Sequence, residues 1–178
     1  MVKKSTARSN VRRLAVDGML CAAAIVGRIA LGALPNVQPV TAILILMAVY
    51  IGIWDSTVSA VVITLVTHAY MGLGAWSLYQ MAAWAAIAVI SGLVFKKHHH
   101  PIVMLIWAVF CGFAYGAAVS VFSWNTLSAG TGAGGYVAYW LSGLLFDGYH
   151  ALGNAVFIWL LQPLFEKLAL GKLTQKIQ

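Results

Sequence analysis

Ten of the eleven Lys and Arg residues are gathered in three places, with long apolar runs between them. Lys3, Lys4, Arg8, Arg12 and Arg13 form the first cluster, Lys96 and Lys97 the second, and Lys167, Lys172 and Lys176 the third. Arg28 alone sits inside an apolar run. The stretches between clusters suffice for three hairpins that cross and recross a bilayer. Basic residues are retained on the cytoplasmic side of membranes, so both termini and the Lys96–Lys97 turn are expected inside. The three outward segments then carry no Lys, Arg, Asp or Glu. The pattern predicts an all-α integral membrane protein, a single membrane domain over residues 1–178 with six transmembrane helices. Its outer face suits an uncharged or mostly neutral ligand.

The composition excludes an ordinary soluble domain: the chain is 62% hydrophobic and 8% charged, against roughly 25% charged in soluble domains. Its net charge of +7 does not point to nucleic acid, because the basic residues flank apolar segments and form no reading motif. Topological anchoring and contact with anionic membrane lipid account for them. Cys21 and Cys111 both lie in apolar segments and are expected as buried free thiols. The beginning superficially resembles a signal peptide, but Asp17 interrupts the apolar core and no cleavage site follows. Bulky residues in Gly18-Met19-Leu20-Cys21 exclude a lipoprotein signal. The segment reads as the first membrane helix.

The helices are expected at about 14–33, 40–54, 57–71, 78–95, 102–122 and 136–170. Leu34-Pro35-Asn36-Val37-Gln38-Pro39 forms an ordered outer turn, since each proline biases its predecessor away from helix. The second helix is short for a bilayer that needs roughly 20 residues. Trp54-Asp55-Ser56 reads as an inner turn, with Asp55 or Ser56 capping the third helix. Gly72–Ser77 and Ser123–Gly135 read as outer loops. The run His98-His99-His100 beside Lys97 reads as a solvated inner turn, because consecutive residues rarely converge on a metal. No metal site is expected.

Three groups of residues are candidates for function. Outer-face amides and aromatics come first: Asn36 and Gln38; Trp76, Tyr79, Gln80 and Trp84; Trp124, Asn125 and Thr126; and Tyr136, Tyr139 and Trp140. Trp76, Gln80 and Trp84 recur every four residues and share a face if their helix begins early. An aromatic belt at headgroup depth explains any one of these rings. Amides interleaved with rings on three outer loops favour a ligand pocket. The second group, Asp147, His150 and Asn154, stacks on one face of the sixth helix. Asp147 would lie roughly 16 Å inside at 1.5 Å per residue. A carboxylate at that depth needs a partner, and Arg28 is the intramembrane cation available. A structural Arg28–Asp147 pair and a direct ligand or gating role both remain open. His68 is expected as a satisfied buried histidine. The third group, Gly18-x3-Ala22 and Ala23-x3-Gly27, offers smooth faces for another helix, within the chain or from a partner.

Several chemistries are excluded. Gly171-Lys172 lacks the rest of a phosphate-binding loop. Gly-x-Ser-x-Gly, His-Glu-x-x-His and Cys-x-x-Cys are all missing. No enzyme activity is expected.

The turn Leu34-Pro35-Asn36-Val37-Gln38-Pro39-Val40-Thr41-Ala42 and the run Gly74-Ala75-Trp76-Ser77-Leu78-Tyr79-Gln80-Met81, with basic cytoplasmic ends, resemble the S components of energy-coupling factor (ECF) transporters. The resemblance covers nearly the whole chain. It implies a vitamin-binding subunit of the bacterial plasma membrane, with substrate near the outer face. It also implies docking on one transmembrane coupling protein and two ATPases, which hydrolyse ATP while this chain binds no catalytic cofactor. The family's small-residue docking motif would map onto Gly18 and Ala22, or Ala23 and Gly27. Folate, pantothenate and thiamine pyrophosphate would favour an outer cation, and only Arg28 can serve. The likeness is greatest to the cobalamin-type members. Riboflavin, pantothenate, folate and pyridoxine remain alternatives, as does a self-sufficient proton-coupled carrier using Asp147 and His150. The family's toppling in the membrane would be eased by outer loops free of charge.

Overall fold

The structure is a computed structural model. It describes residues 3–96, 100–127 and 130–177, with side chains over 10–96, 100–127 and 130–167. Seven helices and no strand occur among these residues: α1 (Lys3–Ala30), α2 (Val40–Tyr50), α3 (Ile53–Met71), α4 (Trp76–Val94), α5 (Pro101–Leu127), α6 (Gly132–Ser142) and α7 (Leu144–Ile177). Among the described residues, three segments are long and apolar enough to cross a membrane: α4, α5 and Leu144–Lys167 of α7.

The bundle is built around α2. Every residue from Val40 to Ala48 is buried, as expected for a helix that is apolar all round. Its 11 residues span about 16 Å at 1.5 Å per residue. Pro39, which has no N–H to leave unpaired, occupies its N-cap. Around it stand α1, α3, α4, α5 and α7. Outside, apolar side chains face away from the protein, among them Leu14, Trp54, Leu73, Phe110 and Leu160.

Paired contacts fix the helix directions. Arg13, midway along α1, meets Asp55 at the start of α3, and Arg28, in the last turn of α1, meets Thr67 near the end of α3, so these helices run parallel. His68 on α3 meets Gln80 on α4 across a short loop, which makes that pair antiparallel. On α5, Gly112 faces Ala151 and Gly116 faces Asp147 of α7, with Asn154 Nδ2 donating to the Ala108 carbonyl at 3.2 Å. This antiparallel contact is so close that a Cβ on Gly112 would lie 2.5 Å from the Ala151 Cα. Two glycines four apart allow such an approach of backbones.

Four boundaries differ from expectation. The expected sixth helix is two, broken at Gly143, whose N–H bonds back to the Trp140 carbonyl. Trp54, Asp55 and Ser56 are not a turn; the chain turns at Ile51–Gly52, and all three lie in the first turn of α3. Neither Asp55 nor Ser56 caps that helix. Asp55 is taken by Arg13, and Ser56 Oγ donates to the Leu44 carbonyl at 2.7 Å. Trp124, Asn125 and Thr126 belong to α5 rather than a loop, and Thr126 Oγ1 donates back to the Phe122 carbonyl. α1 starts well before Leu14 and ends at Ala30. His98 and His99 lie outside the described residues.

Candidate ligand site at one end of the bundle

Arg28 reaches the end of the bundle away from Arg13 and Asp55. Its side chain is 6% exposed. One guanidinium nitrogen donates to Thr67 Oγ1 at 2.7 Å, and another donates to Gln80 Oε1 at 2.8 Å and approaches His68 Nε2 at 3.2 Å. The guanidinium carbon stands 4.8 Å from the ring centroid of Trp84, a cation–π arrangement. Trp76 packs on His68 with ring centroids 4.0 Å apart. Since α4 begins at Trp76, Trp76, Gln80 and Trp84 share one face and meet Arg28 and His68 in successive turns.

A second hydrogen-bonded chain runs beside it. Trp84 Nε1 donates to Thr41 Oγ1 at 2.9 Å, and Thr41 Oγ1 lies 2.9 Å from His150 Nε2. His150 Nδ1 lies 3.0 Å from the Asn36 carbonyl. A carbonyl only accepts, so Nδ1 carries the proton and Nε2 is left to accept from the Thr41 hydroxyl. Both nitrogens of His150 are thereby engaged. Asn36 is held in the left-handed region at φ 57°, a conformation asparagine tolerates, and its Nδ2 donates to the Phe146 carbonyl at 3.1 Å. The loop before α2 is thus fastened to the start of α7.

Between these two systems lies a cavity of about 160 Å³, lined by Arg28, Asn36, Gln38, Gln80, Met71 and the backbone turn that follows α1. Four residues singled out from sequence therefore share one site. A larger cavity of about 250 Å³ lies between the start of α5 and the middle of α7. Its lining is mainly apolar, and its carboxylate, Glu166, already accepts from Tyr50 and Gln162.

Arg28 and Asp147 do not pair. Asp147 Oδ2 accepts from Trp140 Nε1 at 2.9 Å, and the carboxylate lies in the first turn of α7. Free N–H groups and the positive end of the helix dipole are concentrated there. The break at Gly143 is the physical reason: it places Asp147 at a helix start, where a carboxylate is stabilised without a cation. Asp147, His150 and Asn154 are all buried, on one face as expected.

The remaining aromatics form a separate group. Trp124 donates to Thr131 Oγ1 and meets Tyr136 edge to face, while the Tyr136 hydroxyl donates to the Ala117 carbonyl. Tyr79 packs on Phe122, Tyr139 is half-buried, and Asn125 is exposed. None of these lines the cavity. Of the small residues on α1, Gly18, Ala22 and Ala23 face outward, whereas Gly27 is used within the chain, since its missing Cβ makes room for the Pro39 ring. Cys21 and Cys111 are buried and unpaired, as expected. His68 is buried as expected, but only in part satisfied: its Nδ1 has no partner.

Sequence reasoning missed Thr41, Thr67 and Tyr115, whose ring stacks on Trp84 with centroids 5.0 Å apart. It also missed Gly112 and Gly116, whose spacing matches the pattern sought on α1. Applying the same rule along α5 would have found them. No family model matches this chain, and neither does any curated protein or solved structure.

Proposed function

We propose that this chain is a membrane-embedded binding subunit of the S-component type, which captures a vitamin at its outer face and hands it to an ATP-driven coupling module. α1 to α5 and α7 form the six crossings in this reading, α6 lies at the outer end, and both termini are cytoplasmic. The carrying observation is the cavity that gathers Arg28, Asn36, Gln38 and Gln80 beside the Trp76–Trp84 face. Asn36, Gln38 and Gln80 come from the two segments that carry the family likeness, and Arg28 comes from α1. Cobalamin is the first candidate substrate. A cavity of about 160 Å³ admits only part of so large a molecule, so the loop before α2 and the loop after Met71 must part to accept it. Gly18, Ala22 and Ala23 present the open face of α1 to the coupling protein.

The self-sufficient carrier is less well supported. A proton relay through Asp147 and His150 needs the two to be linked, and the hydrogen bonds go elsewhere: Asp147 to Trp140, and His150 to Thr41 and Asn36.

The test is equilibrium binding of cobalamin, pantothenate, folate and riboflavin to the purified chain in detergent, with uptake into vesicles holding the chain alone. Submicromolar binding of one vitamin without sustained uptake is expected. Uptake by the chain alone that a protonophore abolishes would replace this reading with the carrier.

A further inference from the structure

Arg28 is a buried cation without a counter-charge. The chain has four acidic residues, and each is placed elsewhere. Asp55 is bound to Arg13, Asp147 to Trp140, and Glu166 to Tyr50 and Gln162. Asp17 precedes Arg28 by 11 residues on the same helix, about 16 Å at the helical rise. Burying a guanidinium among neutral groups is costly unless something pairs with it.

The hydrogen bonds around Arg28 also hold more donors than acceptors. A guanidinium offers five N–H groups and accepts none. Its acceptors here are Thr67 Oγ1 and Gln80 Oε1. His68 Nε2 cannot serve both neighbours: protonated, it donates to Gln80 Oε1 and confronts an Arg28 N–H; unprotonated, it accepts from Arg28 and confronts the Gln80 oxygen. Turning the Gln80 amide over places its NH2 against Arg28 instead. One mismatch survives in every arrangement. Gln38, 8% exposed and lining the cavity, has no side-chain hydrogen bond among the described residues. Trp84 covers one face of the guanidinium, and Thr67 and Gln80 take two of its five N–H groups, so a ligand would meet those left over along its edge.

We propose that the cavity beside Arg28 receives an anionic oxygen group of the ligand, a carboxylate or a phosphate ester, held by the guanidinium edge and the amides of Gln38 and Gln80. The proposal rests on reading this cavity as the ligand site and narrows its ligand to one that bears such a group. An oxyanion supplies the acceptors the cluster lacks, and planar bidentate pairing is what a guanidinium does best. It also departs from the neutral-ligand expectation, which rested on outer segments free of charge: Arg28 lines the cavity, and Asp147 is bonded to Trp140 and does not neutralise it.

Tryptophan emission reads the site, because Trp84 lies against the guanidinium. The purified chain in a neutral detergent is titrated at constant chloride and pH with benzoate against benzamide, pantothenate against panthenol, and inorganic phosphate. A saturable change is expected for the anions, at least about tenfold weaker for the neutral partner of each pair. Phosphate responding better than both carboxylates assigns the group as a phosphate ester, and the reverse order assigns a carboxylate. Arg28→Gln should abolish the preference, and Arg28→Lys should retain part of it. Equal responses to acid and amide, or no anion response into tens of millimolar, would overturn the proposal. Should Arg28→Gln fail to fold, the acid–amide comparison on the natural chain still decides. A vitamin bound tightly with no anion preference removes this proposal and leaves the proposed function standing; an anion preference with no vitamin bound does the opposite.

Discussion

Arg13, in the middle of α1, and Arg28, in its last turn, are each placed against α3, and the two arginines are treated in opposite ways. Arg13 is half-exposed and meets the carboxylate of Asp55 through Nε at 2.6 Å and through a second nitrogen. Arg28 is buried and meets a hydroxyl, an imidazole, an amide and an indole face. A pair such as Arg13–Asp55 is self-contained. It joins two parallel helices, is screened by solvent, and contributes about 0.2–1 kcal/mol. The Arg28 cluster costs free energy as it stands, and its open positions face a cavity. A fold that needed only a clamp at the second end could have repeated the first. The difference teaches that neutral surroundings around a buried cation mark a place prepared for something else.

The largest effect should come from the close contact between α5 and α7. Gly116→Leu drives a side chain into Asp147, so we expect a loss of about 3 kcal/mol or more from overpacking. Thermal unfolding in detergent measures it. Gly18→Leu, on an open face of α1, should leave unfolding unchanged and impair transport with the coupling module. Next, Arg28→Gln should weaken binding of the vitamin by tenfold or more, the order of a charged hydrogen bond, whereas Arg13→Gln should leave affinity unaltered. Equilibrium titration of the two variants side by side checks this.

Thr41→Val removes the hydroxyl that links Trp84 to His150 and leaves Trp84 Nε1 and His150 Nε2 buried without that partner. About 1–3 kcal/mol of stability should go with it, accompanied by a shift in tryptophan emission. The smallest effect lies at the other end. Asp55 accepts from Arg13 through both carboxylate oxygens, and Arg13 is half-exposed. Asp55→Asn should therefore lower stability by less than about 1 kcal/mol, read by thermal unfolding in detergent.

Much of this was legible in the residues. The apolar runs between basic clusters placed the helices, and fourfold spacing placed Trp76, Gln80 and Trp84 on one face. Pro35 and Pro39 marked the loop that carries Asn36 and Gln38 to the cavity. What misled was distance along the chain. Arg28 and Asp147 looked like the natural pair because both are charges in apolar runs, but helix breaks decide such pairings, and the expected helix 136–170 ran through the break at Gly143. The inner turn was misplaced for a related reason: Asp55 and Ser56 are good capping residues, yet Gly52 ended α2 first and freed Asp55 for Arg13. Thr41 and Thr67 gave no periodic signal, since a threonine on a buried helix matters only once its neighbours are known.

The most direct test of the central claim is ligand protection at the two ends. Leu34→Cys introduces a thiol at the cavity rim, and Lys96→Cys introduces one just past the end of α4, on the Arg13–Asp55 side. The native Cys21 and Cys111 are buried, so labelling by a maleimide reports the new thiol. Rates are measured with and without whichever of the four vitamins the chain binds most tightly. The account predicts slower labelling of Leu34→Cys with ligand and an unchanged rate for Lys96→Cys. Protection of Lys96→Cys alone, or of neither position, would contradict it.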